Sequence, residues 1–354
     1  MSATRPSPDG TPAAPVTPAD DAPVAAQADA GAAPGTATGT APEREFTVRA
    51  MTSRELVTRR FVRHRGALLG FSMFAFIVVL SITSIGAFGL PGWWGLSYSS
   101  PATVVNGGRM SLDVLPPFVD GDGLAFGPHP FGQDDVGRDF FALVMRGTQI
   151  SLMIALLVGL IATVIGVLIG AAAGYFRGNT ENVLMRLTDV IITIPLLIIA
   201  AVLSRNVQGL GPIAIAVVIG LIYWTTLGRL VRGEFLSLRE KEFVEAARAM
   251  GASSSRIIFR HILPNALGTI IVSATLTVAA AILLETALSF LGLGVQPPDT
   301  SLGLLIDAYQ SSFATRPWLF WWPALFIVVI ALSVNFIGDG LRDAFDPKQT
   351  RVRA

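Results

Sequence analysis

Residues Glu242–Pro264 read EFVEAARAMGASSSRIIFRHILP, a charged island between two long apolar runs. Phe243, Ala246, Ala247 and Met250 follow the i, i+3, i+4, i+7 spacing of one apolar helix face. Glu242, Glu245 and Arg248 take the other side, three residues apart, where opposite charges pair weakly. Gly251 stands where a left-handed helix cap wants glycine. Ser253 or Ser254 can cap a second short helix carrying Ile257, Ile258 and Ile262. Pro264 stiffens the way into the next apolar run. By periodicity alone this is an amphipathic connector resting on a membrane surface. Two short helices joined by glycine, with thin alanines, also suit a shape that docks into another protein.

The rest of the chain is strongly apolar. Only 14% of its 354 residues are charged and its mean hydropathy is +0.59, whereas soluble domains carry about 25% charged residues. A net charge of +1 gives no sign of a nucleic-acid surface. Cysteine is absent, which excludes disulfides, thiolate metal sites and cysteine nucleophiles. His64, His129 and His261 are the only histidines, too scattered for a zinc-hydrolase motif. Lys241 and Lys348 are the only lysines, and neither follows a glycine-rich phosphate loop. If ATP drives this protein, another chain must bind it.

Six uncharged or nearly uncharged runs, near 66–90, 149–174, 187–204, 212–230, 266–290 and 319–338, are candidates to cross a bilayer, which takes about 20 residues each. The third is the weakest, because Asp189 and Arg205 close in on it and Pro195 interrupts it. Basic residues alternate between loops. One side holds the collar Arg54, Arg59, Arg60, Arg63, His64 and Arg65, then Arg177 and Arg186, the cluster from Arg229 to Arg260, and Arg342, Lys348, Arg351 and Arg353. The opposite side holds Arg109, Arg138 and Arg146, then Arg205, then Arg316. The expectation is an all-α membrane protein with six transmembrane helices and both termini cytoplasmic. Its parts are a disordered cytoplasmic tail at 1–50, a basic segment and first span at 51–90, an extracytoplasmic loop at 91–148, a five-span core at 149–345 with a cytoplasmic loop at 232–265, and a tail at 346–354. Residues 1–50 lack a basic start followed by an apolar stretch and are not read as a secretory signal.

In the long loop, Pro91, Trp93 and Trp94 read as an interfacial aromatic anchor. His129 with Asp134 and Asp135 could suggest a metal, but one histidine among clustered aspartates more often builds a hydrogen-bonded turn. Gly159, Gly166, Gly170 and Gly174 recur at near-helical spacing and let helices approach closely. Glu285 lies inside the fifth apolar run, where a charge costs several kcal/mol unless paired or hydrated. It is expected to face the bundle interior, a partner subunit or an aqueous cavity, with an arginine of another chain as a candidate counter-ion.

The wording of three segments then narrows the reading. Glu245-Ala246-Ala247, Gly251 and Leu263-Pro264 resemble the EAA loop of bacterial ABC-importer permeases, with His261 where the general pattern has isoleucine. Arg256-Ile257-Ile258, Arg260 and His261-Ile262-Leu263-Pro264-Asn265 resemble the dipeptide/oligopeptide branch. The segment from His129 to Asp139 is similar to the HPxGTDxxGRD signature of the C-type subunit, with Gln133 in place of threonine, and Arg146-Gly147 and Ser151-Leu152 continue the likeness. Asn335 to Asp343 and Asp346-Pro347 match the end of the same family. The resemblance covers about 55–348. It implies the ABC importer type I permease fold and a place beside a B-type permease subunit, two cytoplasmic ABC ATPase subunits and an extracytoplasmic substrate-binding protein. It implies that Glu245, Ala246, Ala247, Gly251, Leu263 and Pro264 couple to an ATPase groove, that ATP and Mg are bound by the partner ATPase subunits, and that this chain is a transport subunit and not an enzyme. The expected location is the bacterial plasma membrane. Di- or oligopeptides are the expected solute; relatives of this family import nickel, glutathione or other small solutes. An ion-coupled secondary transporter should instead show internal repeats and several midplane ionisable groups, and an intramembrane enzyme should show a nucleophile–base pair; neither pattern is present in the sequence.

Overall fold

A bilayer-spanning segment must satisfy its backbone groups internally, so apolar runs of this length become helices. The computed structural model describes residues 53–87, 89–113 and 125–345. The expected tails at 1–50 and 346–354 lie outside the described residues. The chain divides at Ala50, and all described residues belong to the unit Met51–Ala354. In order its helices are α1 Ser53–Arg63, α2 Arg65–Ile85, α3 Phe140–Phe176, α4 Gly178–Thr193, α5 Leu196–Asn206, α6 Pro212–Arg239, α7 Glu242–Ala249, the single turn α8 Ser254–Arg256, α9 Leu263–Phe290, α10 Leu302–Tyr309 and α11 Trp318–Phe345. Two short antiparallel pairs, Gly86–Ala87 with Leu90–Pro91 and Leu112–Asp113 with Ala125–Phe126, stiffen the segment between α2 and α3.

Among the described residues, five helices are long and apolar enough to cross a membrane. The expectation of one continuous third span over 187–204 is corrected: α4 and α5 meet at 90°. The break has a local cause. Pro195 supplies no backbone donor and forces Ile194 into an extended conformation, φ −83° and ψ 129°. Counting the bent pair as one span restores six. Helix α3 begins at Phe140 rather than near 149, because Asp139 caps it by accepting from the Ala142 amide at 2.8 Å.

Close approaches at glycine fix the directions. On α3, Gly166, Gly170 and Gly174 face Leu227, Val231 and Phe235 of α6 in rising order, so these helices run parallel. The segment α4–α5 must therefore carry the chain back to the far end. Gly159 faces Val278, while nearer the start of α3 Ser151 touches Glu285, so α9 runs against α3. Gly340 meets Ala67 and Gly268 meets Phe345, so α11 opposes both α2 and α9. The start of α2 and the end of α11 consequently share one end of the bundle with α7; α10 lies at the other.

Candidate functional sites

Helix α7 is mounted at its end of the bundle through two side chains. Val244 and Ala247 are 0% and 2% exposed and join Tyr175, Phe235, Ile257 and Ile262 in a local core. The apolar face expected from periodicity is only partly the buried one. Ala247 packs inward, but Phe243 is 40% and Met250 80% exposed, and Ala246 is exposed as well. A short helix held at positions three apart buries one sector and leaves the adjacent apolar sector open. Glu242, Glu245 and Arg248 are exposed and form no ion pair with each other, so the expected weak pairing is absent.

The turn after α7 follows the sequence reading. Gly251 has φ +78°, and the Ala252 and Gly251 amides donate to the Ala247 and Arg248 carbonyls, both at 3.0 Å, closing a Schellman cap. Ser253, rather than Ser254, caps the following turn by accepting from the Arg256 amide at 3.4 Å. The second helix is not short. A π-turn at Ile257–Ile262 carries α8 directly into α9, with the Leu263 amide donating to the Ile258 carbonyl. Widening to five-residue bonds just before Pro264 relieves the clash that its ring makes with the preceding turn. Of the six residues expected to couple, Ala247 and Leu263 pack against the local core, whereas Glu245, Ala246, Gly251 and Pro264 face outward.

Glu285 lies in the bundle interior, fully buried in α9. Its carboxylate accepts from Ser151 Oγ of α3 at 3.2 Å and Ser289 Oγ at 2.7 Å. Ser289 lies 3.4 Å from Ser301 Oγ, which caps α10, and Ser151 Oγ accepts from the Leu302 amide at 3.2 Å. Within this chain hydroxyls meet this carboxylate, and the cage ties α3, α9 and α10 together. Ser289 stands one helical turn from Glu285, a spacing the sequence shows, whereas Ser151 lies 134 residues away and is brought in only by the fold.

The segment before α3 is a second polar network. Asp139 accepts from Trp94 Nε1 at 3.0 Å and pairs with His129 Nδ1 at 2.8 Å, so Trp94 is tied down while Trp93 stays 61% exposed. Asp134 accepts from the Val136 and Arg138 amides and from Arg138 Nε at 2.6 Å, and Asp135 pairs with Arg316. His129, Asp134 and Asp135 thus diverge to different partners, as a hydrogen-bonded turn requires. Tyr309 of α10 donates to Asp134 at 3.1 Å; burial first, then the nearby carboxylate, pushes its phenol up to about 12. Burial works against the Arg138 cation, but Asp134 and Tyr309 together outweigh it and leave the guanidinium above its ordinary value. Gln133 is buried and fully used: it accepts from the Val105 amide at 2.7 Å and donates to the Thr103 and Gly137 carbonyls at 3.1 and 2.9 Å.

A bundle of membrane-length helices with a glycine-capped helix at one end and a polar network at the other defines a multi-pass membrane protein. The family model for binding-protein-dependent transport system inner membrane components matches residues 166–351. The chain belongs to that family, within the dipeptide/oligopeptide ABC-transporter permeases. It is 38% identical over 303 residues to the oligopeptide transport system permease protein OppC of Mycobacterium tuberculosis, covering 85% of this chain and 96% of the relative. It is 46% identical over 220 residues to the OppC protein of Escherichia coli K12, covering 62% and 72%. A putative peptide permease protein of Brucella ovis is 46% identical over 222 residues, covering 62% and 73%. Among solved structures, an inward-facing form of the MetNI methionine ABC transporter aligns over 58% of this chain and 96% of its own at 20% identity, with a TM-score of 0.47.

Proposed function

We propose that this chain is the C-type permease subunit of an importer that moves di- or oligopeptides across the bacterial plasma membrane. In this reading it pairs with a B-type permease, receives solute from an extracytoplasmic binding protein, and is driven by two ATPase subunits that hold ATP and Mg. Both termini and α7 lie in the cytoplasm. The chain itself carries no nucleotide site.

The observation that carries the reading is α7: an apolar face, Phe243 and Met250, left open on a helix whose other side is locked into the bundle. Exposed apolar side chains on a rigid mount fit a groove in a partner. Rigid mounting also lets an ATPase that closes on ATP move the span ends through α7. Val244 and Ala247 pass the displacement to α6 and α9 without a slack joint. The peptide assignment rests on the relatives' names and on the C-type signature from His129 to Asp139.

The test is purification of the chain with its co-expressed neighbours, followed by uptake into vesicles. Co-elution of ATPase subunits and ATP-dependent uptake of a labelled tripeptide support the proposal. A chain that elutes free of any ATPase contradicts the importer reading; ATP-dependent uptake competed by nickel or glutathione and not by peptides contradicts the substrate.

A further inference from the structure

Helix α6 leaves a different side uncovered in each half. In its first half the exposed side is apolar: Ile213 is 59%, Val217 40% and Leu221 50% exposed. In its second half, toward α7, a stripe on roughly the opposite side of the helix carries Thr226, Arg229, Gly233 and Ser237, all exposed, with Leu230 beside Arg229. A Cβ added at Gly233 would meet nothing within 4 Å. Three ion pairs border this half and tie α4 and its leading residue to α6. Arg177 pairs with Glu240 at 2.8 Å, Arg232 Nε donates to Glu181 at 2.8 Å, and Arg229 pairs with Asp189.

The Arg229–Asp189 pair is the informative one. At 1.5 Å per residue it stands roughly 16 Å up α6 from Glu240, at the α7-side end of the apolar run near 212–230. Both side chains are 47% exposed. Arg229 spends one of its five donors on Asp189, and the rest need water or an acceptor. Hydrocarbon supplies neither, and an intramembrane charge facing it costs several kcal/mol. The stripe also runs, through small side chains, straight to the turn that begins α7.

We propose that the stripe Thr226, Arg229, Gly233 and Ser237 lines the water-filled mouth through which solute leaves on the α7 side, and that the pairing of Arg229, the one charge in the stripe, with Asp189 lets peptides of either net charge pass. This deepens the importer reading and rests on it for the identity of the solute. An unpaired cation in the mouth would favour anionic peptides and hold back cationic ones; matched pairs present little net field to either.

Two measurements on the assembled complex test it. The chain has no cysteine, so Thr226→Cys and Gly233→Cys can be labelled in inverted vesicles with a charged, membrane-impermeant thiol reagent. Leu168→Cys, on an exposed apolar position of α3, is the lipid-facing reference. Labelling at both positions at least tenfold faster than at 168 is expected; rates as slow as the reference overturn the water-lined stripe. In uptake assays with Ala-Glu-Ala and Ala-Lys-Ala, Asp189→Asn should raise the acidic-to-basic ratio about fivefold and Arg229→Gln should lower it similarly, the scale of one unit charge near contact in water. The exchanged pair Asp189→Arg with Arg229→Asp should return the ratio to that of the unaltered complex. An equal fall for both peptides in each variant would mean the pair only fastens α4 to α6, and overturns the charge-balance claim. If the unaltered complex moves neither peptide, the peptide reading fails, while the labelling result still decides whether the stripe is wet.

Discussion

Helices α7 and α10 are each eight residues long and sit at opposite ends of the same bundle. They are finished in different ways. Helix α10 is capped by Ser301, buries Leu302, Gly303, Leu305 and Tyr309, and is reached by Ser151 of α3 and Asp134 of the preceding segment. Its contacts are completed within this chain. Helix α7 buries only Val244 and Ala247 and leaves Phe243 and Met250 open. One end is closed by its own side chains, whereas the other ends in a fixed but uncovered apolar surface. A bundle that must pass a displacement on would be built this way, stiff at the base of α7 and unfinished at its tip.

The largest expected effect lies at the closed end. Glu285→Ala removes the acceptor that Ser151 and Ser289 share and leaves a void among buried hydroxyls. It should cost about 3 kcal/mol, the sum of a lost buried hydrogen-bond centre and a small cavity. The thermal midpoint of the purified complex reads this, and Glu285→Gln, which keeps an acceptor, should lose about a third as much. An unchanged midpoint for the alanine variant would show that the cage does not hold α10. The contrast with α7 would then weaken.

At the open end the expected loss of stability is smaller and the functional loss greater. Gly251→Val forces a β-branched residue to φ +78°, although the new side chain would meet nothing in this chain within 4 Å of Cβ. The strain is about 2 kcal/mol, confined to the cap. Membrane insertion should be normal, while ATPase co-elution falls or ATP is hydrolysed without uptake. Glu245→Ala should give a weaker version of the same defect. Normal coupling in the Gly251 variant would return the segment to a plain surface connector.

The smallest effect is a titration. The Tyr309 phenol is pushed up to about 12, against 10.0 for an exposed tyrosine. A folded-state value raised in this way gives stability that is complete below pH 10 and is lost as pH rises from 10 toward 12. The ultraviolet phenolate difference between the complex and its Tyr309→Phe variant should therefore develop near pH 12. A difference centred on pH 10 would mean that the α10 end is open to solvent.

Much of this contrast is legible in the amino-acid sequence, and the remainder is not for identifiable reasons. Apolar length marks the spans, because a helix is the only way for such a run to satisfy its backbone. Pro195 marks the weak third span and its break, but the 90° angle between α4 and α5 is a tertiary fact that the residues do not spell out. The Gly251 turn is local and reads directly. The burial of α7 does not, since a helical period gives an apolar sector without saying whether this chain or another covers it. Glu285 is visible as an anomaly, but its hydroxyl partners on α3 and before α10 come together only in three dimensions.

The central claim is that the uncovered side of α7 is completed by an ATPase subunit. Met250 tests it most directly, because it is 80% exposed and outside the local core; a change there should shift the stability of this chain by less than about 0.5 kcal/mol. Met250→Glu, purified as the assembled complex, should insert normally and keep its thermal midpoint while ATPase co-elution and ATP-dependent uptake are lost. Co-elution and uptake equal to those of the unaltered complex would contradict the claim.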